Sequence, residues 1–595
     1  KANRMSDIAQ YRAGNKRMVR NKWKYLLLIG PIVFAVLLAY GNGLDGELVG
    51  DSRELITSSS DIRQPWDIAG LWTSNYWGDV LFAGNYRPLA VWTYALNYRL
   101  NSLMSLAVEG VWPYLFFNAL LHAGVVVAVY LLAGLWGLEE KGQWIAAIAF
   151  AWHPLHVEAV TSVVGRAECL AALAGICFLC LDRWQRVYWA GFALMLAMWS
   201  KESAIAFAAV ALWVDWCSAK RSKGHMLKAY GVYGVVVVTW LGLRYYALAG
   251  HDMTVGFLDN PLVGSDWATR IRTAIAVQGK YVQLMVWPFG YSSDYSYAQF
   301  ALVDTWSDPR WYTPLLAFVG TGWGVWRLRS KTVAIAWGSY WLLAGPTANV
   351  LVLIGTIMGE RLAYAPSAMA AILWGWCGER AMRFWPRAVS SNLFLLSALW
   401  CFLSAQRSLT WHNRETYHRA QLRDAPASAR AHLGMGSYYL EMGKIDSALH
   451  YMGRAAAIYP NYPEVQYNWG VGLSAQGQWS EAAQRFERAI ALNPSLYQSW
   501  YNLGLARQKM GRYAEAIQAY KKALALRRDD VETWYNLGVA QWQFGDGDQA
   551  IKSLRYACEL KPKWREGWQY LASVAKAQNE SEIADYAHSK MLALP

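Results

Sequence analysis

The acid-rich run Gly43-Leu-Asp-Gly-Glu-Leu-Val-Gly-Asp-Ser-Arg-Glu54 brings Asp45, Glu47, Asp51 and Glu54 into one short stretch. A carboxylate held close to a hydroxyl can act as general base while that hydroxyl attacks an electrophile. The same acids in an open loop are only solvated charge, and the residues alone fit either role. Further polar motifs follow at wide intervals: Asn85-Tyr-Arg87-Pro-Leu, His153-Pro-Leu-His156-Val-Glu158, Val164-Gly-Arg166-Ala-Glu168, Ser200-Lys201-Glu202, Ser293-Asp294-Tyr-Ser and Gly359-Glu360-Arg361-Leu-Ala-Tyr. Arg166, Lys201 and Arg361 are suited to gripping a phosphate through charge-assisted hydrogen bonds. Each also has an acid close by in sequence (Glu168, Glu202 and Glu360), so internal pairing competes equally with ligand binding. His153 and His156 lack a third donor at metal-ligand spacing, which favours a hydrogen-bonding role and no metal site.

These motifs need elements to position them, and each stands at the end of an apolar run. Apolar residues make up 55% of the 595-residue chain and charged residues only 16%, the balance of a polytopic membrane protein with a soluble appendage. The formal charge of +14 sits mainly in short segments flanking apolar runs, which fits cytoplasmic anchoring and excludes a nucleic-acid partner. Arg12, Lys16, Arg17, Arg20, Lys22 and Lys24 make residues 1–24 a basic cytoplasmic segment. The first run, near Tyr25–Tyr40, is expected to insert as its own anchor. Residues 41–110 then form the first external loop. Spans are expected near Val111–Gly137, up to His153, over Ala159–Asp182, on either side of Ser200–Ser203, and near Tyr230–Ala249. Residues 250–310 read as an external segment with an amphipathic or re-entrant helix around Val277–Trp287. Spans near Trp311–Trp326, Val333–Leu343, Leu362–Gly378 and Leu393–Ser404 complete eleven. The basic turns Glu139–Lys141, Arg183–Arg186, Lys220–Lys228, Arg327–Lys331 and Arg380–Arg387 fall on the cytoplasmic face, and every polar motif falls on the other. Ionisable groups at membrane depth are costly, so their recurrence on one face favours a shared polar cavity. The seven cysteines, mostly inside apolar runs, imply neither a disulfide framework nor a zinc site.

The transmembrane part thus covers residues 25–405, with 406–426 as a linker. Beyond it, Pro426, Pro460, Pro494 and Pro562 are separated by multiples of 34 residues, with Arg528 at the remaining node. That period identifies stacked tetratricopeptide helix pairs. Trp500, Leu503, Gly504, Gly511, Ala516, Tyr520 and Ala523 recur 34 residues later as Trp534, Leu537, Gly538, Gly545, Ala550, Leu554 and Ala557. Residues 427–595 are expected to hold about five repeats in an α-solenoid, the last a degenerate cap. Tyr467, Tyr497, Tyr501 and Trp534 are candidates to line a groove for a protein or peptide, against the alternative of packing helix on helix.

Taken in order, the motifs Asn42-Gly-Leu-Asp-Gly-Glu-Leu-Val-Gly-Asp51, Tyr86-Arg-Pro-Leu-Ala-Val, His153-Pro-Leu-His-Val-Glu-Ala-Val, Val164-Gly-Arg-Ala-Glu, Ser200-Lys-Glu, Asp294-Tyr-Ser and Glu360-Arg-Leu-Ala-Tyr-Ala-Pro-Ser, followed by the repeats, resemble the transmembrane-and-tetratricopeptide-repeat protein O-mannosyltransferases. These are a branch of the type C glycosyltransferases. The resemblance implies transfer of a sugar, typically mannose, from a polyprenyl-phosphate carrier to a Ser or Thr hydroxyl outside the cytoplasm. It implies no cofactor, the lipid-linked sugar being a substrate, and repeats that present the acceptor protein in the same extracytoplasmic compartment. Asp51 falls at the family's first loop acid, the general base. Arg361 is the leading candidate for the donor phosphate, followed by Arg166 and Lys201. Arg87, His153, His156, Glu158, Glu168, Glu202, Asp294 and Glu360 complete the expected polar cavity. The family usually carries two consecutive acids, and here the second position is Ser52. Glu54 is the acid placed to take over its role; otherwise the site is weakened or silent.

The competing expectation is a non-catalytic membrane scaffold whose repeats dock a partner. A base facing a phosphate-binding arginine argues for the enzyme, and Ser52 argues for the scaffold. A transporter would show repeats among its spans or charges buried on both faces, and neither is visible in the sequence.

Overall fold

The computed structural model describes residues 22–78, 84–107, 110–218, 221–248 and 255–594. The basic segment expected over residues 1–24 lies outside them up to Asn21. Among the described residues every regular element is helical, and the chain divides into two compact units, Lys1–Ala425 and Pro426–Pro595.

In the first unit a helix stands at each of the eleven places where an apolar run was read: Lys22–Tyr40, Trp112–Leu135, Glu140–Trp152, Arg166–Arg183, Val187–Ser200, Ala206–Ser218, Lys223–Leu248, Pro309–Leu328, Lys331–Ala344, Tyr364–Met382 and Pro386–Ser408. Among the described residues four stretches, and not the eleven expected, are long and apolar enough to cross a membrane by length and composition: Trp112–Leu135, Val163–Arg183, Lys223–Leu248 and Pro386–Trp411. The helix expected around Val277–Trp287 starts earlier and runs Trp267–Val286, because Asp266 caps it by accepting from the Ala268 and Thr269 amides. Proline opens Pro309–Leu328 and Pro386–Ser408, where its missing amide N–H has no helical partner to lose. Glycines let two helices meet at backbone distance: a Cβ on Gly375 would run into the Gly142 carbonyl. Such small-residue contacts suit helices that must pack without help from water. The outward faces are apolar, with Leu227, Val235, Val238, Phe394 and Phe402 each more than half exposed.

The polar turns collect at two opposite ends of these helices. At one end Arg383 pairs with Glu139 (2.8 Å) and Glu379 (3.2 Å), and Thr332 donates to the Trp136 carbonyl (2.6 Å). There too Arg221 holds both Asp182 and Asp215, and Arg183 reaches Asp215 (3.3 Å). At the other end the loop after Tyr40 is stitched to the end of the last long helix. Asn42 donates to the Ala405 carbonyl (2.7 Å), and the Glu47 amide donates to the His412 carbonyl (2.6 Å). Gly46 makes this approach possible, since any Cβ there would strike His412. The stretch 406–426 is not an open linker. It carries the helix Arg414–Asp424, started by a capping box between Asn413 and Thr416 and belonging to the first unit.

The second unit is five helix pairs: Ala429–Glu441 with Ile445–Ile458, Pro463–Ala475 with Trp479–Leu492, Tyr497–Lys509 with Tyr513–Leu526, Val531–Phe544 with Gly547–Leu560, and Arg565–Ala577 with Ser581–Leu592. The turn inside each of the first four pairs passes through a glycine at positive φ, Gly443, Gly477, Gly511 and Gly545, and Asn579 takes that place in the fifth. A second glycine series, Gly436, Gly470, Gly504 and Gly538, marks where the helices of a pair cross under Met452, Phe486, Tyr520 and Leu554.

Candidate active site

Asp51 is the first residue of the helix Asp51–Ser58, entered through Gly50 at φ 54°. One turn of this short helix decides which acids are available. Asp51 and Glu54 share its open side, whereas Ser52, Leu55 and Ile56 face the interior. Ser52 is 1% exposed, its hydroxyl 3.3 Å from that of Ser162 and accepting from the Val164 amide. A second acid at this position would therefore point into the core, away from the open side that Asp51 occupies. Glu54 keeps its carboxyl above the usual range, through burial and then through repulsion from Asp51.

Three of the sequence motifs meet at Asp51. Arg361 lies between two carboxylates, its Nη2 3.7 Å from Asp51 and its Nε 3.5 Å from Glu158. The backbone amide of Arg361 also donates to Glu158 (2.9 Å), so Glu158 fixes both the main chain and the side chain of this arginine. About a third of the Arg361 side chain and half of the Asp51 side chain remain open, which leaves room for an incoming hydroxyl and an oxyanion.

Two tyrosines close this group. The Tyr417 hydroxyl would lie 3.0 Å from a Cβ on Gly50 and accepts from the Gln421 side-chain Nε2 (3.1 Å). Burial raises its phenol above the ordinary range, and the negative field of Asp51, Asp294 and Glu158 raises it further. Tyr76 lies beneath the Arg87 guanidinium, 4.9 Å from its ring centre. Burial raises this phenol too, against the lowering charges of Arg87 and Arg361.

Around this centre the remaining polar residues are paired. Arg87 holds Glu202 (2.9 Å), which also accepts from the Tyr86 amide (2.7 Å). Burial opposes ionisation of Glu202, but Arg87 and these hydrogen bonds hold its carboxyl below the usual range. Lys201 is buried against Glu168, and burial drives its ammonium well below the usual lysine range. Glu360 is fully buried, 2.5 Å from Arg407 and accepting from the Tyr295 hydroxyl and the Ser292 amide (both 2.9 Å). Burial pushes its carboxyl up to about 7 despite Arg407, with Glu158 adding to the rise. Asp294 accepts from the Ser296 amide (2.9 Å) and shapes the turn that delivers the Ser292 amide.

Two expected phosphate ligands have other duties. Arg166 is 0% exposed. Its Nε donates to Asn118 (2.9 Å), Nη1 to the Thr93 carbonyl (3.0 Å) and Nη2 to the Tyr114 carbonyl (3.0 Å). With these donors committed and aromatic rings of Tyr94 and Phe117 over it, it ties helices together and presents nothing to a ligand. Lys201 is likewise taken by Glu168. His153 and His156 serve as hydrogen-bonding links, His153 to the Met285 carbonyl (2.9 Å) and His156 to the Phe150 carbonyl and the Ser367 hydroxyl (both 2.8 Å). Among the described residues no group of three or more His, Cys, Asp or Glu is arranged to hold a metal ion.

Tyr417, Tyr76 and Arg407 escape a reading by motif. Arg407 alone leaves a trace, as the cation directly after the last apolar run on the face where the polar motifs gather.

In the repeats, Tyr467, Tyr497, Tyr501 and Trp534 are all half-buried. Tyr467 packs on Phe486 and Tyr501 on Tyr520, while the Trp534 indole donates to the Arg528 carbonyl (2.8 Å) and abuts Tyr556. Tyr497 lies under Arg527.

A helical unit with membrane-length apolar helices and an acid–arginine–acid centre, followed by tetratricopeptide pairs, defines the class. Tetratricopeptide family models match residues 473–511 and 509–545 (TPR repeat), and 429–462 and 531–563 (Tetratricopeptide repeat). Over most of its length the chain is similar to proteins named protein O-mannosyl-transferases. It is 25% identical to the protein O-mannosyl-transferase F38B6.6 of Caenorhabditis elegans, over 76% of this chain and 64% of that protein. It is also 25% identical to the protein O-mannosyl-transferase TMTC3 of Mus musculus, over 72% of this chain and 51% of that protein. The chain thus spans about half to two thirds of the length of these curated relatives. Among solved structures, MamA of Desulfovibrio magneticus RS-1 is similar to 28% of this chain and 94% of its own, at 23% identity and a TM-score of 0.27.

Proposed function

We propose that the chain is an integral-membrane glycosyltransferase that moves a sugar, mannose by analogy with its named relatives, from a polyprenyl-phosphate donor to a Ser or Thr hydroxyl of a protein. One observation carries this: Arg361, fixed by Glu158, faces an open Asp51 at the end of the helices where the polar turns converge. Asp51 takes the proton of the acceptor hydroxyl as its oxygen bonds to the anomeric carbon. The bond from that carbon to the phosphate oxygen breaks, and the phosphate leaves with the electron pair. Arg361 stabilises the charge that gathers on it. The eleven apolar helices cross the membrane, with the Asp51 end outside the cytoplasm, and the repeats bind the acceptor in that compartment. The exposed apolar faces support the membrane reading, since water would not tolerate them over several helices.

The test is transfer of radiolabelled sugar from polyprenyl-phosphate mannose to co-expressed protein by the full chain in detergent. Asp51→Asn removes the base and is expected to lower turnover by about 10²–10⁴-fold, the usual contribution of a positioned base. Arg361→Lys should weaken transfer while leaving the fold intact. Equal transfer by wild type and Asp51→Asn would sink the proposal.

A further inference from the structure

A cavity of about 360 Å³ opens between the turn Pro288–Ser293 and the outer end of the helix Pro386–Ser408. Phe289 and Leu403 make its wall apolar, and Ser293, Gln406 and Arg407 make its floor polar. Arg407 gives one nitrogen to Glu360 and rests over Tyr291, 4.3 Å from the ring centre. Its Nε has no hydrogen-bond partner among the described residues, and neither has the Ser293 hydroxyl. The second cation at the cavity, Arg423, is already forked onto Asp424 (2.7 Å).

Buried donors without partners are costly, and the unmet Arg407 Nε–H and Ser293 hydroxyl of one cavity lining are best met by an oxyanion with several acceptor oxygens. A phosphate supplies those oxygens, and a carboxylate supplies fewer. The volume lies at the lower end of ligand sites, about 300–1,000 Å³, enough for a head group and the start of a chain. Leu403 belongs to a helix whose Phe394, Leu395 and Phe402 are exposed and which is long and apolar enough to lie in a bilayer.

We infer that this cavity is a head-group site for a lipid phosphate, seated on Arg407 and Ser293 and separate from Arg361. It depends on the membrane reading of Pro386–Ser408 and is independent of any role for Asp51. Because burial raises the Glu360 carboxyl, part of the Arg407 charge is left uncompensated near neutral pH, which further favours an anion there.

The experiment equilibrates the full chain in detergent with equal amounts of phosphatidic acid and phosphatidylcholine and counts the retained lipid by mass spectrometry. Wild type and Asp51→Asn are expected to retain phosphatidic acid over phosphatidylcholine by about tenfold, the scale of one charge-assisted hydrogen bond. Leu403→Trp, which fills the cavity, and Arg407→Gln should both lose that preference. Since Arg407→Gln strands Glu360 and can fail to fold, Ser293→Ala serves beside it, with a smaller loss, and melting by tryptophan fluorescence certifies each variant. Equal retention of both lipids by wild type, or an unchanged preference in folded Leu403→Trp, overturns the site. Displacement of the lipid by an equal concentration of inorganic phosphate reassigns the cavity to free phosphate and also overturns the lipid assignment; no displacement supports it. Lipid preference kept in Asp51→Asn while transfer is lost separates this site from the catalytic proposal.

Discussion

Arg166 and Arg361 look alike in sequence, each beside an acid in a short motif at the end of an apolar run, yet only Arg361 is open. The difference lies in partners remote in sequence: Asn118, Thr93 and Tyr114 absorb the Arg166 donors, and no local pattern encodes carbonyls that arrive from other helices. Asp51 and Glu158 were readable as acids, but their joint hold on Arg361 was not. Arg166→Met should accordingly act on the fold, costing about 3–5 kcal/mol through the loss of three charge-assisted hydrogen bonds and an unmet Asn118 oxygen. A lowered melting temperature with an unchanged KM for the proposed lipid-linked donor is expected; a raised KM in a stable variant would return Arg166 to the site. Glu360 gives a pH signature. A carboxyl raised on folding from 4.5 to about 7 binds its proton more tightly in the native state. It therefore contributes stability that is full below pH 4.5 and is lost as pH rises through 7, on the order of 3 kcal/mol in all. Glu360→Gln should flatten the melting temperature between pH 5 and 7.5, and an undiminished slope would show that other groups set it.

At the scale of elements the repeats were the most legible part, because their period is counted in residues and survives any uncertainty about packing. The helix Arg414–Asp424 was the least legible: it is short and polar, with no apolar stripe, and its start depends on a capping box that is simple to overlook. It nonetheless brings Tyr417 to Gly50, beside Asp51. The two glycine series in the repeats do different work, and substitutions should separate them. Gly504→Ala puts a methyl 2.6 Å from the fully buried ring of Tyr520, an overpacking that costs about 1–3 kcal/mol. Gly511→Ala meets nothing within 4 Å and suffers only its φ of +76°, about 1 kcal/mol. Melting curves of the full chain should rank Gly504→Ala below Gly511→Ala, and the reverse order would mean that the crossing can relax around Tyr520.

For the whole molecule, charge on short turns predicted two faces, and the contacts within the first unit sort by the same rule. The turns read as cytoplasmic touch one another through Arg383, Glu139, Thr332 and Trp136, and the polar motifs touch one another through Asp51, Arg361, Glu158 and Glu360. The structure supplies the ends and the membrane would supply their orientation, which a labelling experiment can read. In a chain whose seven cysteines are replaced, single cysteines at Asp45 and Ser307 stand at the motif end, and those at Glu140 and Arg329 at the basic end, all exposed. A membrane-impermeant thiol reagent added outside intact cells should label Asp45→Cys and Ser307→Cys at once, and Glu140→Cys and Arg329→Cys only after permeabilisation. Asp529→Cys, exposed in the repeats, should label with the first pair if the acceptor is bound in the compartment of Asp51. Labelling of Asp45 and Glu140 from the same side would break the two-faced arrangement. Labelling of Asp529 with Glu140 would keep the arrangement but remove the repeats from the compartment where the base acts, leaving acceptor presentation without a physical route.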